Sequence, residues 1–136
     1  MRFIQVGVGG FGRCWVNVLK QSRQAKVVGM VDISDKALDE ACQTGGYGRD
    51  ICFTSLREAL SKVEADAVVV VTPPAVHRQD VVSALKAGLH VISEKPMADS
   101  LADCKAMLQA AAKARRTYVV SQNYRYSEPT WTLAKL

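Results

Sequence analysis

Ile4-Gln5-Val6-Gly7-Val8-Gly9-Gly10-Phe11-Gly12, with Asp32 twenty residues beyond the last glycine, is the stretch that decides the fold. An apolar strand runs into a G-x-G-x-x-G turn, a helix pattern follows, and a second apolar strand, Lys26 to Val31, ends on the carboxylate. That order of parts is the layout of a dinucleotide site. Gly7 permits the tight turn at the strand end, and Gly9 presents no Cβ to a pyrophosphate approaching the backbone. Gly12 lets the first helix lie close on the sheet. Gly10 and Phe11 complete the turn, and the free N–H groups and positive dipole end of the helix face the phosphates. Asp32 can accept hydrogen bonds from the adenosine ribose hydroxyls, and its charge would repel a 2′-phosphate. NAD(H) is therefore the expected cofactor. NADP(H) stays open, because a nearby base such as Lys36 could meet that phosphate. A glycine turn alone would say little, since many join strand to helix for packing only.

Outward from this unit, strand and helix patterns alternate. Strands are expected at Phe3–Val8, Lys26–Val31, Ile51–Phe53, Asp66–Thr72, His90–Ser93 and Tyr118–Ser121. Helices are expected at Phe11–Gln21, Asp35–Thr44, Leu56–Ser61, Val76–Ala87 and Leu101–Arg115. The run Val68-Val69-Val70-Val71 is apolar on both faces, as a central parallel strand covered by helices should be. In the last helix, Leu101, Cys104, Leu108 and Ala111 form one stripe, with Met107 and Ala112 beside it. Ser55 to Glu58 reads as a capping box, and Ser100 with Asp103 resembles one. Gly88 closes its helix, and Pro73-Pro74 separates strand from helix. The fold class is α/β: a doubly wound parallel sheet, the Rossmann fold, in three αβα layers. Residues 1–122 are assigned to this domain and 123–136 to a linker or the start of a second one.

Composition excludes several classes. With 49% hydrophobic and 23% charged residues among 136, the chain is long enough for a real core and ordinary for a globular protein. The net charge of +5 invites a nucleic-acid partner, but the bases are scattered. Their one modest cluster, Lys113, Arg115 and Arg116, closes a helix, where cations suit the dipole. No nucleic acid is expected. No apolar run approaches the ~20 residues a membrane helix needs, and no signal peptide opens the chain. Cys14, Cys42, Cys52 and Cys104 show no metal spacing and read as reduced thiols, three on apolar positions and Cys42 less clear. The expected setting is cytoplasmic, with no metal and no membrane contact.

Two further segments sharpen the function. Thr72-Pro73-Pro74-Ala75-Val76-His77 follows the strongest strand, and Gly88-Leu89-His90-Val91-Ile92-Ser93-Glu94-Lys95-Pro96 forms the next strand and its exit. Both loops leave carboxyl ends of parallel strands, where open α/β sheets bind ligands. With Gln122-Asn123-Tyr124-Arg125 after the last strand, the chain resembles the Gfo/Idh/MocA family from Arg2 to about Tyr126. The resemblance implies a NAD(P)-dependent oxidoreductase acting on a secondary alcohol of a sugar, cyclitol or related polyol. It places Lys95 at the junction of nicotinamide and substrate, where its ammonium would orient the reacting oxygen and favour charge developing there. Thr72 and Pro73 would line the nicotinamide half of the groove. Glu94 would orient Lys95 or contact the nicotinamide ribose, and Asn123 would approach the nicotinamide. His77 matches the family pattern as a cofactor contact, although a histidine in a first helical turn often just caps or packs. Arg125 would reach substrate or tie two domains.

Family members carry a second α/β domain that supplies most of the substrate pocket and commonly an acid/base histidine. Neither His77 nor His90 matches that histidine, so the chain is expected to be the N-terminal part of a longer enzyme. Alone, it should bind NAD(H) without appreciable turnover. The alternative is a dinucleotide-sensing regulator of the same architecture, without catalysis. Tyr124, Tyr126, Trp131, Leu133 and Leu136 would then be disordered, folded back, or buried in a homo-oligomer contact.

Overall fold

A computed structural model describes residues 1–135 and shows six strands in one parallel sheet. In chain order the elements are β1 (Arg2–Val6), α1 (Gly12–Gln21), β2 (Lys26–Val31), α2 (Asp35–Gly45), β3 (Cys52–Phe53) and α3 (Leu56–Lys62). They continue as β4 (Ala67–Val70), α4 (Pro74–Lys86), β5 (His90–Ser93), α5 (Leu101–Ala114), β6 (Tyr118–Val120) and α6 (Glu128–Leu133). The sheet order is β3-β2-β1-β4-β5-β6, every neighbouring pair parallel. The order reverses between β1 and β4, and there the strand ends leave a crevice.

Alternation along the central strands builds the layers. Ile4, Val6, Val68 and Val70 face a core closed by Leu56, Leu85 and Met107 from α3, α4 and α5. Phe3 and Val69 face the opposite core, closed by Val16, Leu19 and Leu38 from α1 and α2. Every residue of β4 is buried, as its unbroken apolar run implies. Each such valine contributes about 1.5–3 kcal/mol by leaving water.

Three local readings need correction. The buried face of α5 is centred on Met107, at 0% exposure, with Ala110, Ala111 and Ala114 beside it, while Leu101 and Leu108 are 71% and 57% exposed. Small side chains let α5 approach α4 closely, and hydrophobic residues are free to remain outside. Ser55 occupies the N-cap of α3 but its side chain makes no capping bond, whereas Ser100 does accept from the Asp103 N–H at 3.1 Å. Among the cysteines, Cys42 is the buried one and Cys14 is exposed. The thiols of Cys42 and Cys52 lie 3.3 Å apart, and burial, with Cys42 alongside, pushes the Cys52 thiol up to about 12.

Helix α4 begins at Pro74, where the missing N–H costs no intrahelical bond. Past β6 the chain forms a 3₁₀ turn, Asn123–Tyr126, and then α6, neither foreseen from the pattern. Tyr124, Tyr126, Trp131 and Leu133 stand exposed on this segment, and Leu136 lies outside the described residues. No helix among the described residues is long and apolar enough to cross a membrane.

Candidate functional site

The glycine turn is shaped by its own scaffold. Gly7 has φ +82°, and a Cβ there would stand 2.6 Å from the Val71 carbonyl oxygen. A Cβ on Gly12 would collide with the Gly7 carbonyl. Gly9 differs, because its Cβ would meet only Ala37 Cβ at 3.4 Å and Asp32 Oδ2 at 3.7 Å, which is ordinary contact. Nothing inside the protein forbids a side chain at Gly9, so its bareness serves the open side of the turn. Gln5, wholly buried, ties the two ends of the loop together: Nε2 donates to Gly7 O at 3.1 Å and Gly12 O at 2.8 Å. That role was missed from the sequence, although a lone polar residue in an apolar strand was its signal.

Asp32 is fixed by the same turn. Oδ2 accepts from the Val8 N–H at 3.0 Å and the Gly9 N–H at 3.1 Å, and Oδ1 accepts from the Ser34 N–H at 3.0 Å. An ionised carboxylate has about four lone-pair positions, so capacity remains for hydroxyl donors. A groove of about 820 Å³ opens over these groups, within the size range of ligand clefts. Gly7, Gly9, Gly10, Phe11, Asp32, Thr72 and Pro73 all line it, while Gly12 is buried beneath the turn. Phe11, Ile33 and Val76 offer apolar surface there, at 59%, 94% and 40% exposure.

The exit of β4 carries a second polar set. Thr72 Oγ1 donates to Asp80 Oδ2 at 2.9 Å, and Asp80 also lines the groove. Burial raises the Asp80 carboxyl above its ordinary range, with the Thr72 hydroxyl pulling the other way. Asp80 escaped the sequence reading because it sits mid-helix, outside any motif. His77 is completely buried and has no surface to offer a cofactor, contrary to the role expected of it. Its Nε2 lies 2.7 Å from the Thr72 carbonyl oxygen and its Nδ1 lies 3.2 Å from that of Met97. His77 thus joins the loop after β4 to the loop after β5.

Glu94 is beside β4, its N–H bonded to Val70 O at 2.9 Å. Its Oε1 accepts the Trp15 indole N–H at 2.9 Å and its Oε2 the Lys95 N–H at 3.1 Å. Lys95 is exposed at the same sheet edge, joined to Pro96 by a cis peptide bond. Asn123 is exposed in the turn after β6, next along that edge. Glu94, Lys95 and Asn123 therefore flank the groove and do not line it. Lys36, the base considered for a 2′-phosphate, faces Glu40 at 3.9 Å and also lies outside the groove. Among the described residues no cluster of three metal-ligating side chains occurs.

The chain is similar to several known proteins. Over 127 residues the chain is 32% identical to 4-carboxy-2-hydroxymuconate-6-semialdehyde dehydrogenase of Sphingobium, covering 93% of this chain and 40% of that protein. It is 32% identical over 109 residues to 1,5-anhydro-D-fructose reductase of Ensifer adhaerens, covering 80% of this chain and 32% of that one. The WlbA dehydrogenase of Bordetella pertussis, solved with NADH and UDP-GlcNAcA, superposes with a TM-score of 0.92 at 31% identity, covering 99% of this chain and 40% of that chain. The chain thus spans 40% or less of the length of each of these proteins. A family model described as the oxidoreductase family, NAD-binding Rossmann fold, matches residues 1–122, and the chain belongs to that family, Gfo/Idh/MocA.

Proposed function

We propose that this chain is the cofactor-binding domain of an oxidoreductase that moves hydride between a nicotinamide and a secondary alcohol of a sugar, cyclitol or related polyol. The observation that carries the reading is the fixed Asp32 carboxylate beside an open glycine turn, with Lys95 two loops along the same sheet edge. The cradle suits a dinucleotide: Gly9 leaves room at the turn, Asp32 keeps acceptor capacity for ribose hydroxyls, and Phe11, Ile33 and Val76 give flat apolar contact. NAD(H) is the preferred form, because Asp32 would face any 2′-phosphate with like charge. The nicotinamide, when bound, accepts or delivers the hydride.

The protein's own groups do the rest. The α1 N-terminus and the Gly10 and Phe11 N–H groups hold the phosphates, since the Val8 and Gly9 N–H groups are taken by Asp32. Thr72 and Pro73 line the groove, on the side expected to take the nicotinamide. Lys95, free at the rim, holds the substrate oxygen and stabilises charge forming on it. Glu94 keeps the Lys95 backbone in place. Residues 123–136 are taken as the lead into a second domain that completes the substrate pocket and supplies an acid/base group. Catalysis belongs to that longer protein, and the 136-residue chain binds cofactor without turnover.

Calorimetric titration of this chain with NADH and with NADPH tests the reading. NADH binding at micromolar to millimolar concentration, tighter than NADPH, is the expected result. No heat from either dinucleotide at millimolar concentration overturns it.

A further inference from the structure

Cys42 in α2 and Cys52 at the start of β3 bring their thiols to 3.3 Å, and both point at the Gly48 carbonyl oxygen, at 3.6 and 4.0 Å. To bond, the two sulfurs need to close by little more than ~1 Å. Access differs between them, since Cys42 is buried and Cys52 half-buried. The chain that joins them can give, because Gly45, Gly46 and Gly48 fall within it and Gly46 turns at φ +71°. Cys14 and Cys104 stand on α1 and α5, and among the described residues neither has a second thiol in hydrogen-bond reach. Beyond Cys52 the strand leads straight to the groove. Phe53 O accepts the Asp32 N–H at 3.2 Å, and Thr54 and Ser55, next in the chain, line the groove wall.

We propose that Cys42 and Cys52 are a redox-active pair, which a low-molecular-weight disulfide such as oxidised glutathione converts to an internal disulfide that draws β3 toward α2 and weakens dinucleotide binding. Only the effect on binding rests on the dinucleotide reading. Exchange starts at Cys52, the more accessible thiol: its sulfur attacks the small disulfide, releases one small thiol and keeps the other half as a mixed disulfide. The Cys42 sulfur then attacks the Cys52 sulfur and expels the second small thiol. The two protons of the protein thiols end on the two small thiols, so the pair is oxidised and the small disulfide reduced. Burial, and then Cys42, push the Cys52 thiol up to about 12, Arg49 pulls it down and Asp39 opposes Arg49. The thiolate is the attacking form, so exchange quickens as pH rises. When the sulfurs close, β3 gives way rather than α2. It is a two-residue edge strand, paired only through Met30↔Cys52 and Val31↔Phe53, whereas α2 runs eleven residues between a serine cap and a glycine cap. The bond from Asp32 N–H to Phe53 O then lengthens, and Thr54 and Ser55 shift with it.

The test treats the 136-residue chain with oxidised glutathione at mildly alkaline pH and reverses the reaction with dithiothreitol. Tryptic mapping should find the peptide 37–49 joined to the peptide 50–57, and dithiothreitol should part them. Cys42→Ser should stop the reaction at a glutathione adduct on Cys52, and Cys52→Ser should leave Cys42 unmodified. The linked chain should bind NADH about three- to tenfold more weakly, the scale of one hydrogen bond, and its Asp32 amide should exchange hydrogen faster. Neither change should follow glutathione treatment of Cys52→Ser, which separates the pair from an adduct on exposed Cys14. Circular dichroism checks that each variant folds. Absence of the peptide link in the unmodified chain overturns the proposal. So does a linked chain whose Asp32 amide exchanges at the reduced chain's rate, or whose NADH affinity equals that of the reduced chain. If neither redox form binds NADH at all, the cofactor reading has failed, and the peptide link and the Asp32 amide still decide whether the pair works as proposed.

Discussion

Trp15 and Glu94, 79 positions apart in sequence, meet through an indole N–H donated to a carboxylate oxygen at 2.9 Å. Trp15 belongs to the first turn of α1, the helix whose N-terminus faces the glycine turn. Glu94 stands where β5 ends and accepts the Lys95 N–H on its other oxygen. One side chain therefore ties the helix behind the glycine turn to the loop that presents Lys95. Replacing Trp15 by Phe keeps an aromatic ring and removes the donor. Stability should fall by about 1–2 kcal/mol, read from urea unfolding. Trp15→His, which restores a ring N–H, should recover part of it.

Gln5 offers a harsher test of the turn. In Gln5→Leu the side-chain volume is nearly kept, but the carbonyls of Gly7 and Gly12 lose a donor in a buried setting. The expected cost is about 1–3 kcal/mol in denaturant unfolding. Among the described residues the Gln5 side-chain oxygen, Oε1, has no partner in the buried interior, so its removal offsets a little of that loss.

Asp32→Ala removes the ribose acceptor and frees the Val8 and Gly9 N–H groups together. Affinity for NADH should drop about tenfold or more, the scale of a hydrogen bond to a charged group. NADPH should lose much less, so the gap between the two narrows. Parallel titrations of both cofactors against one protein preparation read this directly.

Asp80 gives a pH dependence whose sign is fixed by its cause. Burial raises its carboxyl above 3.8 in the folded chain, so the native state holds that proton more tightly than the unfolded one. Stability from this group is complete below the unfolded value and is lost as pH rises through the folded value. Asp80→Asn should therefore melt higher than the parent at neutral pH, by roughly a few degrees, with the difference shrinking in acid. Asp66 works in the opposite sense, since hydrogen bonds from Arg2 lower its carboxyl. Its contribution is present above the ordinary value and disappears as pH falls through the folded one. Melting curves of Asp66→Asn should diverge from the parent upward from acid, with the variant the weaker.

How much could be read beforehand depended on how local each signal was. The β1–turn–α1 unit and Asp32 were legible because backbone conformation and close approach restrict residue type at single positions. The layered sheet was legible because Val68 to Val71 admits few environments. The face of α5 was not, since Leu101 and Leu108 obey helical spacing as well as Met107 does, and only contact with α4 chooses between them. Ser55 fits the sequence form of a cap, yet nothing local forces its hydroxyl inward. His77 and Asp80 take their roles from partners on other loops: Thr72 and Met97 for the first, Thr72 for the second. Such long-range pairings leave no periodic trace.

The crowding of Gly7 against Val71, and of Gly12 against Gly7, also bears on redesign. Those two positions are frozen by the chassis, so a library aimed at changing the protein's choice of coenzyme would waste its diversity there. The adjustable dial is at the ends of β2 and β3, where Ile33, Thr54 and Ser55 line the groove outside the glycine turn, whereas exchanging Asp32 would also release the Val8 and Gly9 N–H groups.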